Sequence, residues 1–158
     1  MKGIKVRSQA RVLGYIIMMI YLMFICYFGF FSKIAGRDLA HVNKYNLIPF
    51  RTIHNYLNFE KPINSISVVV NIIGNMGVFM PFGIILPIIL PARSHAYHIY
   101  LVLIGSLLLS LTIELIQYLT SVGVFDVDDL ILNSIGALAG YFINMIVRKK
   151  YNRTGKEN

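Results

Sequence analysis

Four of the seven acidic residues, Glu114, Asp126, Asp128 and Asp129, fall in one short stretch of the chain, and three of them stand together in Phe125-Asp-Val-Asp-Asp129. Grouped carboxylates have a small repertoire. Held in different protonation states, they divide the work of general acid and general base. With enough oxygens they hold a divalent cation. At a helix start they accept bonds from free backbone N–H groups and complement the dipole. Glu114, Asp126, Asp128 and Asp129 are therefore the candidate catalytic residues, with capping, an organised polar site and metal binding as the three readings of the aspartates. The tract lacks the loop glycine and distal glutamate of a calcium hand. His41 and His54 have no ligand spacing, and His95 and His98 belong to the opposite end of the molecule. No metal and no cofactor are expected. There is no serine or cysteine nucleophile motif either.

Glu114 is the unusual member of this set. It interrupts the otherwise uncharged residues 97–121, a stretch long enough to cross a bilayer, where a carboxylate costs roughly 2.5 kcal/mol or more. It must be protonated or met by hydrogen-bond donors, and it belongs against protein, a partner or a water-filled cavity. Gln117 lies one turn further on, and Ser110 one turn before on the same face. The amides Asn71 and Asn75 are four apart, hence on one helix face. Asn133 stands one turn beyond Asp129.

The elements that must position these groups are membrane spans. The chain has 158 residues, 56% of them hydrophobic, with mean hydropathy +0.64, too apolar for an ordinary soluble domain. Residues 12–31, 66–90, 97–121 and 130–147 each offer about the 20 residues a span needs, giving an all-α, polytopic four-helix bundle. Residues 1–150 form a single transmembrane domain, and 151–158 a polar tail. The basic front before residue 12 resembles a signal peptide, but the apolar run is too long and has no small-residue cleavage site. The first helix is read as retained. Cys26 is the single cysteine, so no disulfide forms within the chain.

Four spans put both termini on one side. That side carries Lys2, Lys5, Arg7, Arg11, Arg93, Arg148, Lys149, Lys150, Arg153 and Lys156, against Lys33, Arg37, Lys44, Arg51 and Lys61 on the other. Because positive charge is retained inside, both termini are expected in the cytoplasm. The net charge of +8 is thereby explained by topology, and no nucleic-acid partner is expected. With that orientation Asn71, Asn75, Glu114, Gln117, Asp126, Asp128, Asp129 and Asn133 all fall in the outer leaflet, although they come from separate stretches.

The first outer loop is long and carries its own pattern. In residues 45–59, Phe50, Ile53 and Leu57 recur at helical spacing, Tyr45, Tyr56 and Phe59 suit the headgroup level, and Pro49 suits a first helical turn. A short interfacial or re-entrant helix is expected, or else an ordered loop packed over the bundle. Arg51 and Lys61 are placed to pair with the aspartates and close a lid, or to leave a charged rim. In the second span, Pro81 is expected to bend the helix within Phe79-Met-Pro-Phe-Gly83. Gly74, Asn71 and Asn75 also read as ordinary helix glue, and Gly136 and Gly140 as a small-residue packing stripe.

In order, Asn46-Leu-Ile-Pro-Phe50, Asn71-Ile-Ile-Gly-Asn75, Phe79-x-Pro-Phe-Gly83, Glu114-x-x-Gln117, the Phe125–Asn133 tract, Gly136 and Gly140 resemble the VanZ-like family of small bacterial membrane proteins. Many members carry an arginine shortly before the aspartates; Ser121-Val-Gly-Val124 has none, so such a role would pass to a basic residue of the first loop. The resemblance implies a part in resistance to teicoplanin, a lipid-bearing glycopeptide, or in cell-envelope homeostasis. It also implies a multi-pass protein of the bacterial cell membrane.

On this reading Asn71, Asn75, Glu114, Gln117, Asp126, Asp129, Asn133 and Arg51 are the ligand-binding candidates of an outer-leaflet polar pocket. The partners would be membrane lipids and a lipid-linked or lipoglycopeptide ligand. Two other classes stay open: an enzyme acting on a lipid-linked cell-wall precursor through the Glu114/Asp cluster, and a small transporter, which with four spans requires a homo-oligomer.

Overall fold

The computed structural model describes residues 2–30, 45–57, 65–91, 94–120 and 123–154. In chain order these form α1 (Lys2–Phe30), β1 (Tyr45–Asn46), α2 (Arg51–Leu57), α3 (Ser65–Ile89), α4 (His95–Leu119), β2 (Phe125–Asp126) and α5 (Val127–Thr154). Four of the helices contain a segment long and apolar enough to cross a bilayer: Gln9–Tyr27 of α1, Asn71–Ile89 of α3, His95–Leu119 of α4 and Val127–Tyr151 of α5. The protein is an all-α polytopic membrane bundle. The helices outrun the apolar stretches read from sequence. α1 begins within the basic front and α5 already at Val127, because Asp128 and Asp129 sit inside its first turn rather than before it. Ser94 starts α4 by accepting the Tyr97 N–H at 3.3 Å.

α5 lies at the centre, packed most extensively on α3 and next on α4, while α1 rests against α3. The α3–α5 contact is close because the side chains there are missing. A Cβ at Gly136 or Gly140 would overlap the carbonyl oxygen of Met76 or Met80, and one at Gly83 would overlap that of Ala137. Backbones that meet this closely exchange van der Waals attraction along their length, which drives helix association where lipid is as apolar as leucine. The expected stripe at Gly136 and Gly140 is therefore a packing stripe. Gly74 is not glue, since a Cβ there, or at Gly77, would have nothing within 4 Å among the described residues. The buried apolar core comprises Tyr21 and Ile25 of α1, Phe79, Phe82, Ile85 and Ile89 of α3, Val102 of α4, and Ala137 and Tyr141 of α5.

α3 stays helical through both Pro81 and Pro87. Side chains of neighbouring helices bond to α3 carbonyls close to the prolines. Three positions before Pro81, the Val78 carbonyl accepts the Tyr21 hydroxyl at 2.9 Å. Three before Pro87, the Ile84 carbonyl accepts Asn144 Nδ2 at 2.8 Å. The Pro87 carbonyl would face residue 91, itself a proline with no N–H to give, and takes Arg148 Nη2 at 3.0 Å instead. His98 Nε2, 3.1 Å from the Pro91 carbonyl, and His95 Nδ1, 2.8 Å from the Tyr141 hydroxyl, lie at this same end.

At the opposite end β1 pairs in parallel with β2, Tyr45 against Phe125 and Asn46 against Asp126. An all-helical reading did not anticipate this. Pro49 lies in the turn before α2 rather than in its first helical turn, and Phe50 adopts a left-handed backbone with φ 64°. That region is unfavourable for a bulky residue, so contacts from elsewhere must hold it. The Lys61 and Phe59 expectations lie outside the described residues.

Candidate functional site

Asp126 at the end of β2 and Asp128 and Asp129 in the first turn of α5 supply three carboxylates, the first two reaching the β1–α2 segment and the third α3. Asp126 Oδ1 accepts the Asp128 N–H at 2.9 Å, an N-capping contact. The same oxygen receives Asn46 Nδ2 at 3.1 Å, while Oδ2 receives the Thr52 hydroxyl at 2.6 Å. Asn46 and Thr52 are themselves linked, Nδ2 to Oγ1, at 2.9 Å. The Asn46 side-chain oxygen accepts the Ile48 N–H at 3.3 Å, closing an Asx turn into the loop.

Asp128 is completely buried, at 0% exposure. Its Oδ1 accepts the Phe50 N–H at 2.5 Å, and its Oδ2 accepts those of Thr52 and Ile53 at 2.7 and 3.1 Å. These are the free N–H groups at and just before the start of α2, satisfied by a residue of another helix. Three backbone bonds to one fixed side chain explain how Phe50 keeps its left-handed conformation. The capping reading of the aspartates is thus half right: Asp126 caps its own helix, and Asp128 caps another.

Asp129 is buried and accepts Asn75 Nδ2 at 2.5 Å, tying α5 to α3. Glu114, 3% exposed, accepts the backbone N–H of Asp126 at 3.0 Å and so anchors β2 to α4. Asn133 is buried and donates to Ser110 Oγ at 2.8 Å, one turn below Glu114. Gln117 is buried one turn above, its backbone carbonyl receiving the Gly123 N–H at 3.2 Å. Six predicted residues therefore lie at one end of the bundle: Glu114, Asp126 and Asp128 joined through hydrogen bonds, with Asp129 paired to Asn75 and Asn133 to Ser110 beside them. Asn71 lies one turn from Asn75, and its side-chain oxygen is buried with no donor among the described residues.

Arg51 does not join them. It is exposed at the start of α2, and the aspartates it was expected to pair with are filled by backbone N–H groups, Asn46 and Thr52. The physical reason is that the α2 amides would go unsatisfied if the carboxylates turned to arginine. Closure of the loop over the bundle is real, but amides make it. Asn46 and Thr52 were missed as site residues, and Ser110 as the partner of Asn133. An asparagine two residues before an unbonded N–H and three before a proline was the available signal for Asn46; nothing local marked Thr52.

Among the described residues no three of His, Cys, Asp and Glu are grouped so as to hold a metal ion. The carboxylates instead bond to protein donors, so the arrangement works as a latch that fixes the turn 47–50 and α2 across the ends of α4 and α5. Around the latch are exposed apolar side chains, Tyr45, Leu47, Ile48 and Phe50.

Residues 12–148 match the profile of the family described as VanZ/LLP1. The chain is also similar to Protein VanZ of Enterococcus faecium, with 26% identity over 149 residues, 94% of this chain and 80% of that protein. No solved structure matches it.

Proposed function

Because the chain belongs to the VanZ/LLP1 family, we propose that it contributes to resistance to teicoplanin and similar lipoglycopeptides, or to cell-envelope homeostasis, as a non-catalytic protein of the bacterial membrane. Both termini are cytoplasmic, and the latch faces outward. A lipid-bearing ligand meets the apolar turn and Arg51 on its rim, above the half-buried Asn71 and Asn75 and the buried Glu114, Gln117, Asp129 and Asn133. The observation that carries this reading is the fully buried Asp128, which holds an apolar turn against a network of buried amides and acids. A polar patch and an apolar edge side by side suit an amphiphile.

Binding is favoured over acid–base catalysis by the state of the carboxylates. A general acid or base must reach the proton it transfers, whereas oxygens of Asp126, Asp128, Asp129 and Glu114 are all bonded to protein donors. The test is expression in a susceptible host, with teicoplanin and an acyl-free glycopeptide compared side by side. Protection selective for the acylated drug is expected. Equal susceptibility with and without the protein, to every envelope-active compound tried, would refute the proposal.

A further inference from the structure

We infer that the turn 47–50 is a membrane-inserted wedge, seated among the lipids of the leaflet on the latch side. Its depth can be read from the bonds that hold it. β2 is anchored through the Asp126 N–H to Glu114, which lies five residues before the end of α4 at Leu119. At 1.5 Å per residue that is about 7 Å below the helix end, and helical side chains lean further toward the helix N-terminus, which here is deeper still. β1 pairs with β2 residue for residue, so Tyr45 and Asn46 share that level. Phe50 is bonded to Asp128, the second residue of the spanning segment Val127–Tyr151. The turn is therefore held level with the spans, not above them.

At that level the bundle's outward faces are apolar and exposed, as at Leu115, Ile116 and Leu119 of α4. The turn continues this belt: Leu47, Ile48 and Phe50 are 60%, 56% and 59% exposed. Irregular backbone is costly in lipid unless its polar groups are satisfied, and the N–H groups of residues 48, 50 and 51 are. The Ile48 N–H goes to Asn46, the Phe50 N–H to Asp128, and the Arg51 N–H to the Ile48 carbonyl; Pro49 has none to offer. Arg51, next in sequence and exposed, reaches the headgroups from the wedge's edge. The occupant of this surface is bilayer lipid.

The chain contains no tryptophan, so one introduced residue reports alone. Leu47→Trp and, independently, Ile48→Trp are reconstituted in phosphatidylcholine vesicles, with Ile20→Trp on the exposed face of α1 as the lipid-facing reference. Both turn variants should give blue-shifted emission that lipids brominated near the carbonyl end quench strongly and aqueous iodide does not. Adding Asp128→Ala should shift the emission red and expose it to iodide. Red-shifted emission quenched by iodide and untouched by brominated lipid, in both variants, would overturn the inference. So would blue-shifted emission that depends on the protein-to-lipid ratio and ignores brominated lipid, which would mean a second copy of the chain covers the turn.

Discussion

Asp128 illustrates how much one carboxylate does when it is buried beside another helix's start. It accepts three backbone N–H groups, and removing it leaves all three without a partner, each costing about 1–3 kcal/mol where water is excluded. Asp128→Ala is accordingly expected to free the turn and α2 while sparing the spans. Hydrogen exchange at the Phe50, Thr52 and Ile53 amides should rise sharply, with the α3–α5 amides unchanged; protection of those three amides equal to wild type would show that the latch is not Asp128. The acids were visible in the sequence as an excess over what capping needs, and Glu114 as an expensive guest in lipid. What was not visible was who their partners were. Backbone N–H groups carry no letter in a sequence, so a pairing of the aspartates with Arg51 could be read there as readily as a charged rim.

Among the elements, α3 and α5 form the axis of the molecule, and their separation is set by Gly83, Gly136 and Gly140. Gly140→Leu should force the helices apart and lower thermal stability in detergent by about 1–3 kcal/mol or more, the usual cost of overpacking. Gly77→Ala, whose added Cβ meets nothing within 4 Å among the described residues, should melt at or slightly above wild type, since alanine favours helix over glycine; equal loss in both would mean the close α3–α5 contact does not set the effect. The four spans were legible because length and apolarity suffice to mark them, and the Gly136/Gly140 spacing marked the close contact. Gly74 misled, since spacing alone does not say which glycine faces a neighbour. The β1–β2 pair escaped notice because two residues per strand, joined across 80 positions, leave no periodicity to read. Asp126 was singled out for its charge, whereas its backbone N–H, bonded to Glu114, matters as much.

At the scale of the whole molecule, four antiparallel spans leave one end rich in buried carboxylates and the other held together by His95, Tyr141, Asn144 and Arg148. On the proposed orientation, which rests on the charge distribution, the first end is the outer one. With Cys26 replaced by serine, Asn55→Cys on α2 should react with an impermeant maleimide in intact cells, while Lys149→Cys should react only after the membrane is opened. The reverse pattern would invert the protein and remove the latch from the drug's side.

The account depends on the latch-end network being what protection uses, and Glu114→Gln separates that role from folding. The amide keeps an oxygen for the Asp126 N–H, while the second oxygen becomes an NH2 that donates instead of accepting. Teicoplanin susceptibility is to be measured for Glu114→Gln and wild type at matched membrane abundance, with exchange at the turn amides confirming an intact latch. The account predicts a folded variant whose protection is largely lost; full protection from that variant would contradict it.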